Sequence, residues 1–309
     1  MRLQRRCATS GPLSTAGDTL ASWKPLSPSQ YFTLGLGVAF GVTDTGLLRE
    51  SNQDNFFISP ELGLLAVADG MGGHDAGEIA STDAIELLCG YLAAAGRAPA
   101  PDRDGDATLP VFRASDFDPA SLDPDATWTD ATMKAMIALH DAVEFANERM
   151  YLTNVAQARP DGTGMGTTLT GMWQPAPGGP VFLFHVGDSR LYLYRDGRLT
   201  QLTRDQTLYQ EALERGRPGP LPARNLLLQA LGPAADIRPD LSIHATAPGD
   251  VYLLCSDGLY GDSSEENIAA IVGQARADNL DACCARLVAM AQRDGGRDNI
   301  TAVLVRCPG

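Results

Sequence analysis

At 309 residues and a net charge of −14, from 38 acidic against 24 basic side chains, the chain can bury a sizeable core in one large domain or two small ones. The acids are scattered and no long basic run occurs, which argues against nucleic-acid binding and against attraction to a membrane face. No window approaches the roughly 18 apolar residues of a membrane span. The start, MRLQRRCATSGPLSTAG, lacks the apolar run of a signal peptide, and the six cysteines show no C-x-x-C spacing, so a cytoplasmic protein with reduced thiols is expected.

In chain order, residues 1–33 are rich in Ser, Thr, Pro and Gly and predict a flexible leader, with a domain over 34–309. Short strands are expected at 36–42, 55–59 and 64–68, separated by turns, which suggests antiparallel pairing. A helix over 76–95 places Ile79, Ala80, Ala84, Leu87 and Leu88 on one face. Residues 96–127, with seven Asp and several Pro and Gly, read as a surface insertion. A helix over 130–156 carries Met133, Met136, Ile137, Val143 and Met150.

Four strand-like runs follow at 167–173, 181–186, 190–195 and 198–202, the last two joined by the hairpin signal Asp196-Gly197. Short helices are expected at 206–215 and 223–231, around the loop GRPGPLP. Strands at 237–245 and 251–255, helices at 264–273 and 280–292, and a final strand at 300–305 complete the pattern. Clustered strands interleaved with long helices point to the α+β class with two stacked antiparallel sheets.

The chemistry gathers at strand ends. An apolar run ends at Asp69, three glycines follow at Gly70, Gly72 and Gly73, and a helix begins near Ala76. This places a carboxylate and free backbone carbonyls at a sheet edge, a donor set suited to Mg²⁺ or Mn²⁺. Asp54 precedes a strand, Asp257 follows one in CSDG, Asp298 precedes one in GRDN, and Asp188 lies between two in HVGDSR. Any one of them alone reads as a turn former. Five converging carboxylates would repel one another unless divalent cations neutralise them. Arg49, five residues before Asp54, supplies a group that fits phosphate bidentately.

The ordered blocks RESNQD (49–54), ADGMGGHDAGEIAS (68–81), GTTLTG (166–171), HVGDSRLYLYRDG (185–197), QLTRDQT (201–207), LLLQALG (226–232), LLCSDGLYG (253–261) and GGRDNIT (295–301) resemble the metal-dependent serine/threonine protein phosphatases of the PPM family (type 2C), the compact bacterial branch above all. The resemblance implies an α-β-β-α sandwich that hydrolyses phosphoserine and phosphothreonine in proteins by a water activated between two Mn²⁺ or Mg²⁺ ions. It implies that Asp69 bridges the two ions and that the Gly70 carbonyl binds one of them. Asp257 and Asp298 would complete the second ion's ligands, and Asp54 would hold metal-bound water. Arg49 would hold the substrate phosphate, and Asp188 with Asp257 would take a possible third, weaker ion.

The implied partners are phosphorylated Ser/Thr proteins and a cognate Ser/Thr kinase, with no nucleic acid or membrane, and a monomer is expected. Gln53 stands where many members have Glu. Met71 follows the Asp-Gly pair where many eukaryotic members have His, which leaves His74 or solvent as the general acid. His140, His185 and His244 read as structural. Residues 203–225 correspond to the family's flap beside the active site.

Other phosphoryl chemistries lack their residues. No cysteine has Arg six positions later, and Cys255 has Gly261 there. The only lysines, Lys24 and Lys134, follow no phosphate-binding Gly loop, and the glycines at 70–73 are not G-x-G-x-x-G. The alternatives that stand are a catalytically dead phosphatase-like binding module and a hydrolase of small phosphoesters.

Overall fold

The computed structural model describes residues 30–72, 76–95, 130–159, 164–216 and 219–309. The expected leader through 29, His74 and the insertion through 127 lie outside them.

One sheet has the order β1 (Phe32–Leu34), β2 (Gly37–Asp44), β12 (Ile300–Arg306), β11 (Val251–Cys255), β8 (Arg190–Arg195) and β9 (Arg198–Gln201). The other runs β10 (Asp240–His244), β7 (Val181–Val186), β6 (Leu169–Trp173), β4 (Leu64–Met71) and β3 (Asp54–Ser59), with β5 (Gly166–Thr167) on β4. Every pairing is antiparallel.

Helices α1 (Ala76–Ala95) and α2 (Asp130–Ala156) cover the second sheet; α5 (Glu265–Val272) and α6 (Leu280–Asp294) cover the first. The short α3 (Leu208–Glu214) and α4 (Asp257–Tyr260) sit in loops. This is the α+β sandwich expected from the sequence.

Three apolar layers follow. Between the sheets lie Phe56, Leu65, Val67, Leu254 and Val303; outside them, Leu88 and Met136 pack under one helix pair and Ile268 and Leu287 under the other. A fully buried side chain of this size contributes about 1.5–3 kcal/mol. Strands covered on both faces have no solvent side, so β3 and β11 are buried at every position instead of alternating. On α1 the buried stripe is Ala80, Ala84, Ile85, Leu88 and Leu92, while Ile79, expected on that face, is exposed.

Three expectations need correction. Strand β1 takes in the last two residues of the expected leader: Phe32 pairs with Ala39, and the Tyr31 hydroxyl donates to Asp281. The run 167–173 divides at Thr168, whose hydroxyl accepts from the Asp69 N–H in place of a ladder carbonyl. No helix forms over 223–231. That segment makes a turn at 224–225 and then runs along the flap root, where Leu228 N donates to Gln206 O and Leu231 N to Thr167 O, so these amides are taken by neighbouring chain and not by a helical turn.

Candidate active site

The register of β3 on β4 sets Asp54 directly opposite Asp69. Asp69 is fixed on both backbone sides, its N–H on the Thr168 hydroxyl and its carbonyl accepting from Thr168 N and Thr167 Oγ1, each at 2.9 Å. The next residue, Gly70, is still in β4, and a Cβ there would stand 2.0 Å from Gly77 O and 2.6 Å from Gln53 O. Only glycine lets the start of α1 and the 53–54 segment close on this end of the strand. Gln53 reinforces the closure: its carbonyl accepts from Gly70 N and its amide reaches Gly72 O.

From the other sheet, β11 ends at Cys255, Ser256 is the N-cap of α4 and Asp257 opens that helix. A Cβ on Gly258 would lie 2.0 Å from Asn299 O, so its absence lets α4 approach the 298–299 segment. Asn299 is buried and uses its whole amide: Nδ2 donates to Thr45 O and Ser51 O, and Oδ1 accepts from Gln53 N. It thereby ties the loop carrying Arg49 to the turn carrying Asp298. The Arg49 guanidinium reaches Asp298 Oδ2 at 2.6 Å, with half of its side chain exposed.

Asp188 sits on the turn between β7 and β8, where Gly187 N donates to Gln206 Oε1 and the Tyr260 hydroxyl donates to the Asp188 carbonyl. Arg190, stacked 3.6 Å over Tyr260, makes a fork to Asp205 at 2.9 and 2.6 Å. A cleft lined by Asp188, Asp257, Tyr260, Tyr209 and Arg224 runs from the carboxylates beneath α3.

The electrostatics are those of crowded, desolvated acids. Burial pushes Asp54 up to about 7, with Asp257 and Asp298 adding to the shift while hydrogen bonds from Ser256 and Thr301 oppose it. Asp257 rises to about 6, mainly through burial and then through the Asp298 charge. Asp188 rises to about 8 from burial, Asp257 and Asp205. Asp69 is raised well above the usual carboxylate range by burial and by the charges of Asp54, Asp257, Asp188 and Asp298.

Two oxygens, Asp54 Oδ1 and Asp257 Oδ1, are buried without a hydrogen-bond partner among the described residues. Buried acceptors left bare are costly, and a hard cation satisfies them. All-oxygen donors of this kind fit Mg²⁺ or Mn²⁺. Among the described residues no three Asp, Glu, His or Cys side chains stand close enough together to hold a metal ion by themselves. The set is an open rim with Arg49 laid on Asp298.

The structure thus brings together Asp54, Asp69, Asp257 and Asp298 with Arg49, and places Asp188 one step away along the cleft. His74 lies outside the described residues. His185, read as structural, is buried between Thr170 Oγ1 and the Arg204 carbonyl. Ser256, Thr301, Thr43, Asn52 and Asn299, which hold the acids in place, were not foreseen from the sequence. Adjacency was the only signal for Ser256 in CSDG, Asn299 and Thr301 in RDNIT and Asn52 in RESNQD, and Thr43 had none.

A match to the family described as Protein phosphatase 2C covers residues 49–304. The chain is 35% identical over 267 residues to serine/threonine protein phosphatase PstP of Mycobacterium tuberculosis, an alignment that spans 85% of this chain but 43% of that one. With serine/threonine phosphatase stp of Listeria monocytogenes it shares 31% identity over 271 residues, 85% of this chain and 93% of that one. The catalytic domain of PstP, solved in complex with two manganese ions, superposes with a TM-score of 0.63 at 32% identity, covering 88% of this chain and 98% of that one.

Proposed function

This chain belongs to the protein phosphatase 2C family, and from that premise we propose that it hydrolyses phosphoserine and phosphothreonine in proteins with the help of Mn²⁺ or Mg²⁺. Asp69, the Gly70 carbonyl, Asp257 and Asp298 would hold two ions, with Asp54 turned to their water; Asp188, with Asp257, would serve a third. Such ions lower the pKa of water and stabilise charge on phosphoryl oxygens. The observation that carries this reading is the pair of bare, buried oxygens, Asp54 Oδ1 and Asp257 Oδ1, at a rim built from both sheets.

The protein's own groups supply the rest. Arg49 stands half exposed above the acids and is always charged, so it can take the phosphate bidentately while Asp298 and Asn299 keep its loop in place. Tyr209 and Arg224, 4.9 Å from ring centroid to guanidinium carbon, line the approach and would contact the substrate chain. His74 or solvent would protonate the leaving alkoxide. In this reading the phosphatase domain spans 34–309, acts as a cytoplasmic monomer and reverses a Ser/Thr kinase. No described helix is long and apolar enough to cross a membrane.

The test is phosphate release from phosphothreonine and phosphoserine peptides with Mn²⁺ and after exhaustive chelation. Release with Mn²⁺ and its loss on chelation are expected. Chelation-resistant release would overturn the metal assignment. No release at all would favour a catalytically dead binding module, and turnover confined to p-nitrophenyl phosphate would favour a small-phosphoester hydrolase.

Arg49→Ala is expected to raise KM for a phosphopeptide about tenfold with a smaller change in kcat, because it removes binding to the phosphate and leaves the carboxylates intact. An unchanged KM would remove Arg49 from phosphate recognition.

A further inference from the structure

We infer that a one-directional hydrogen-bond chain, from the Asn52 amide through the hydroxyls of Thr43 and Thr301, together with Ser256, is the positioning device that aims Asp54 Oδ1 at the cation site. The inference rests on the metal-dependent reading above and concerns residues that the reading does not itself assign.

The Asp54 carboxylate is buried, and its two oxygens have opposite surroundings. Oδ2 accepts from Ser256 Oγ at 2.6 Å and from Thr301 Oγ1 at 2.7 Å, whereas Oδ1 has no partner among the described residues. Thr301 Oγ1 also lies 2.7 Å from Thr43 Oγ1, which in turn accepts from Asn52 Nδ2 at 2.8 Å. The Asn52 amide cannot be reversed without cost, because its Oδ1 accepts from Asp54 N.

The proton directions follow from that anchor. Asn52 donates to Thr43, and a carboxylate oxygen can only accept, so the Thr301 hydrogen is committed to Asp54. The Thr43 hydroxyl must then donate to Thr301. Every hydrogen in the chain points toward Asp54 Oδ2, and none is available to Oδ1.

Ser256 acts from the other side. It occupies the N-cap of α4, where a serine ordinarily accepts a helix N–H, yet its side chain makes no cap bond. Its oxygen instead accepts from Thr301 N at 3.0 Å, and its hydrogen goes to Asp54. The two groups on Oδ2 come from the ends of β11 and β12, and Thr43 from β2, all in the sheet opposite Asp54. They pin the carboxylate across the sandwich at the rim, so rotation that would bury Oδ1 against them means breaking two hydrogen bonds at once. A carboxylate held in one rotamer loses little freedom when the ions and their water bind, and groups that orient the surroundings of a metal commonly govern 10–100-fold in affinity.

The test is Mn²⁺ titration by calorimetry on the full chain, alongside steady-state kinetics with a phosphothreonine peptide and thermal unfolding. Thr301→Val should weaken Mn²⁺ binding about tenfold and lower kcat by a similar factor. KM for the peptide should stay near the wild-type value, since Arg49 is untouched. Thr301→Ser should restore both quantities, which a purely steric role of the threonine methyl would not allow.

Wild-type Mn²⁺ affinity in a folded Thr301→Val protein would overturn the inference alone. If that variant does not fold, Thr43→Val takes its place. It leaves both bonds to Asp54 but removes the Thr43 donor that polarises the Thr301 hydroxyl, and about threefold weaker Mn²⁺ binding is expected. Wild-type affinity there would equally overturn the directional chain. Wild-type protein that binds no Mn²⁺ would overturn the metal-dependent reading, and the inference with it.

Discussion

Asp257→Asn is expected to lower Mn²⁺-dependent turnover of a phosphopeptide by about a thousandfold or more, as loss of several kcal/mol of transition-state stabilisation implies. Asn keeps the size of the side chain but removes one of the charges that face the proposed ions, and it puts an amide where a bare buried oxygen stands now. The effect should fall on kcat and on Mn²⁺ affinity, with KM little changed because Arg49 is elsewhere on the rim. The fold should survive. In the ion-free protein the neighbouring Asp298 charge and burial both push Asp257 upward, so a neutral residue relieves repulsion and the melting temperature should hold or rise. Kinetics, calorimetry and a thermal scan on one preparation check all three. Wild-type turnover in Asp257→Asn would remove this residue from the metal set.

The second large effect concerns pH. In chelator, stability should fall as pH rises from about 4 to about 8. Asp54 is pushed up to about 7, Asp257 to about 6 and Asp188 to about 8, while Asp69 is also raised. The folded protein therefore keeps protons that the unfolded chain gives up near pH 4. Each pH unit across that window favours the unfolded state, and the slope vanishes once the folded carboxyls have also ionised. The summed change is on the order of a few kcal/mol, or roughly 10 °C in melting temperature. Mn²⁺ should reverse the trend, because cations bind the ionised acids and their stabilisation grows with pH. Melting curves at about pH 5 and pH 8, with chelator and with Mn²⁺, read both slopes. A chelated protein that gains stability between those two pH values would mean that the acids are not held together away from water.

Most of the scaffold was legible in the chain. The helices over Ala76–Ala95 and Asp130–Ala156 and the strands Val181–Val186, Arg190–Arg195 and Val251–Cys255 follow from periodicity, apolar runs and the Asp196-Gly197 hairpin. These are local signals, and so are the acids at strand ends. The short α4 escaped because four residues carry no period. The segment 223–231 misled for the opposite reason: its leucines have helical spacing, but the N–H groups of Leu228 and Leu231 donate to Gln206 and Thr167, and the Leu226 carbonyl accepts from Leu208.

The sequence by itself determined which residue types the chain offers to a cation and in which strands they sit. Only the tertiary structure decided that Asp54 faces Asp69 across two strands, that Asp257 and Asp298 arrive from the other sheet, and that Ser256 and Thr301 take one Asp54 oxygen and leave the other bare. The reason is separation along the chain. Ser256 lies 202 positions from Asp54 along the chain and Thr301 lies 247, and at such distances no local preference acts. Packing of the two sheets against one apolar layer brings these groups together, and that packing is a property of the whole sandwich.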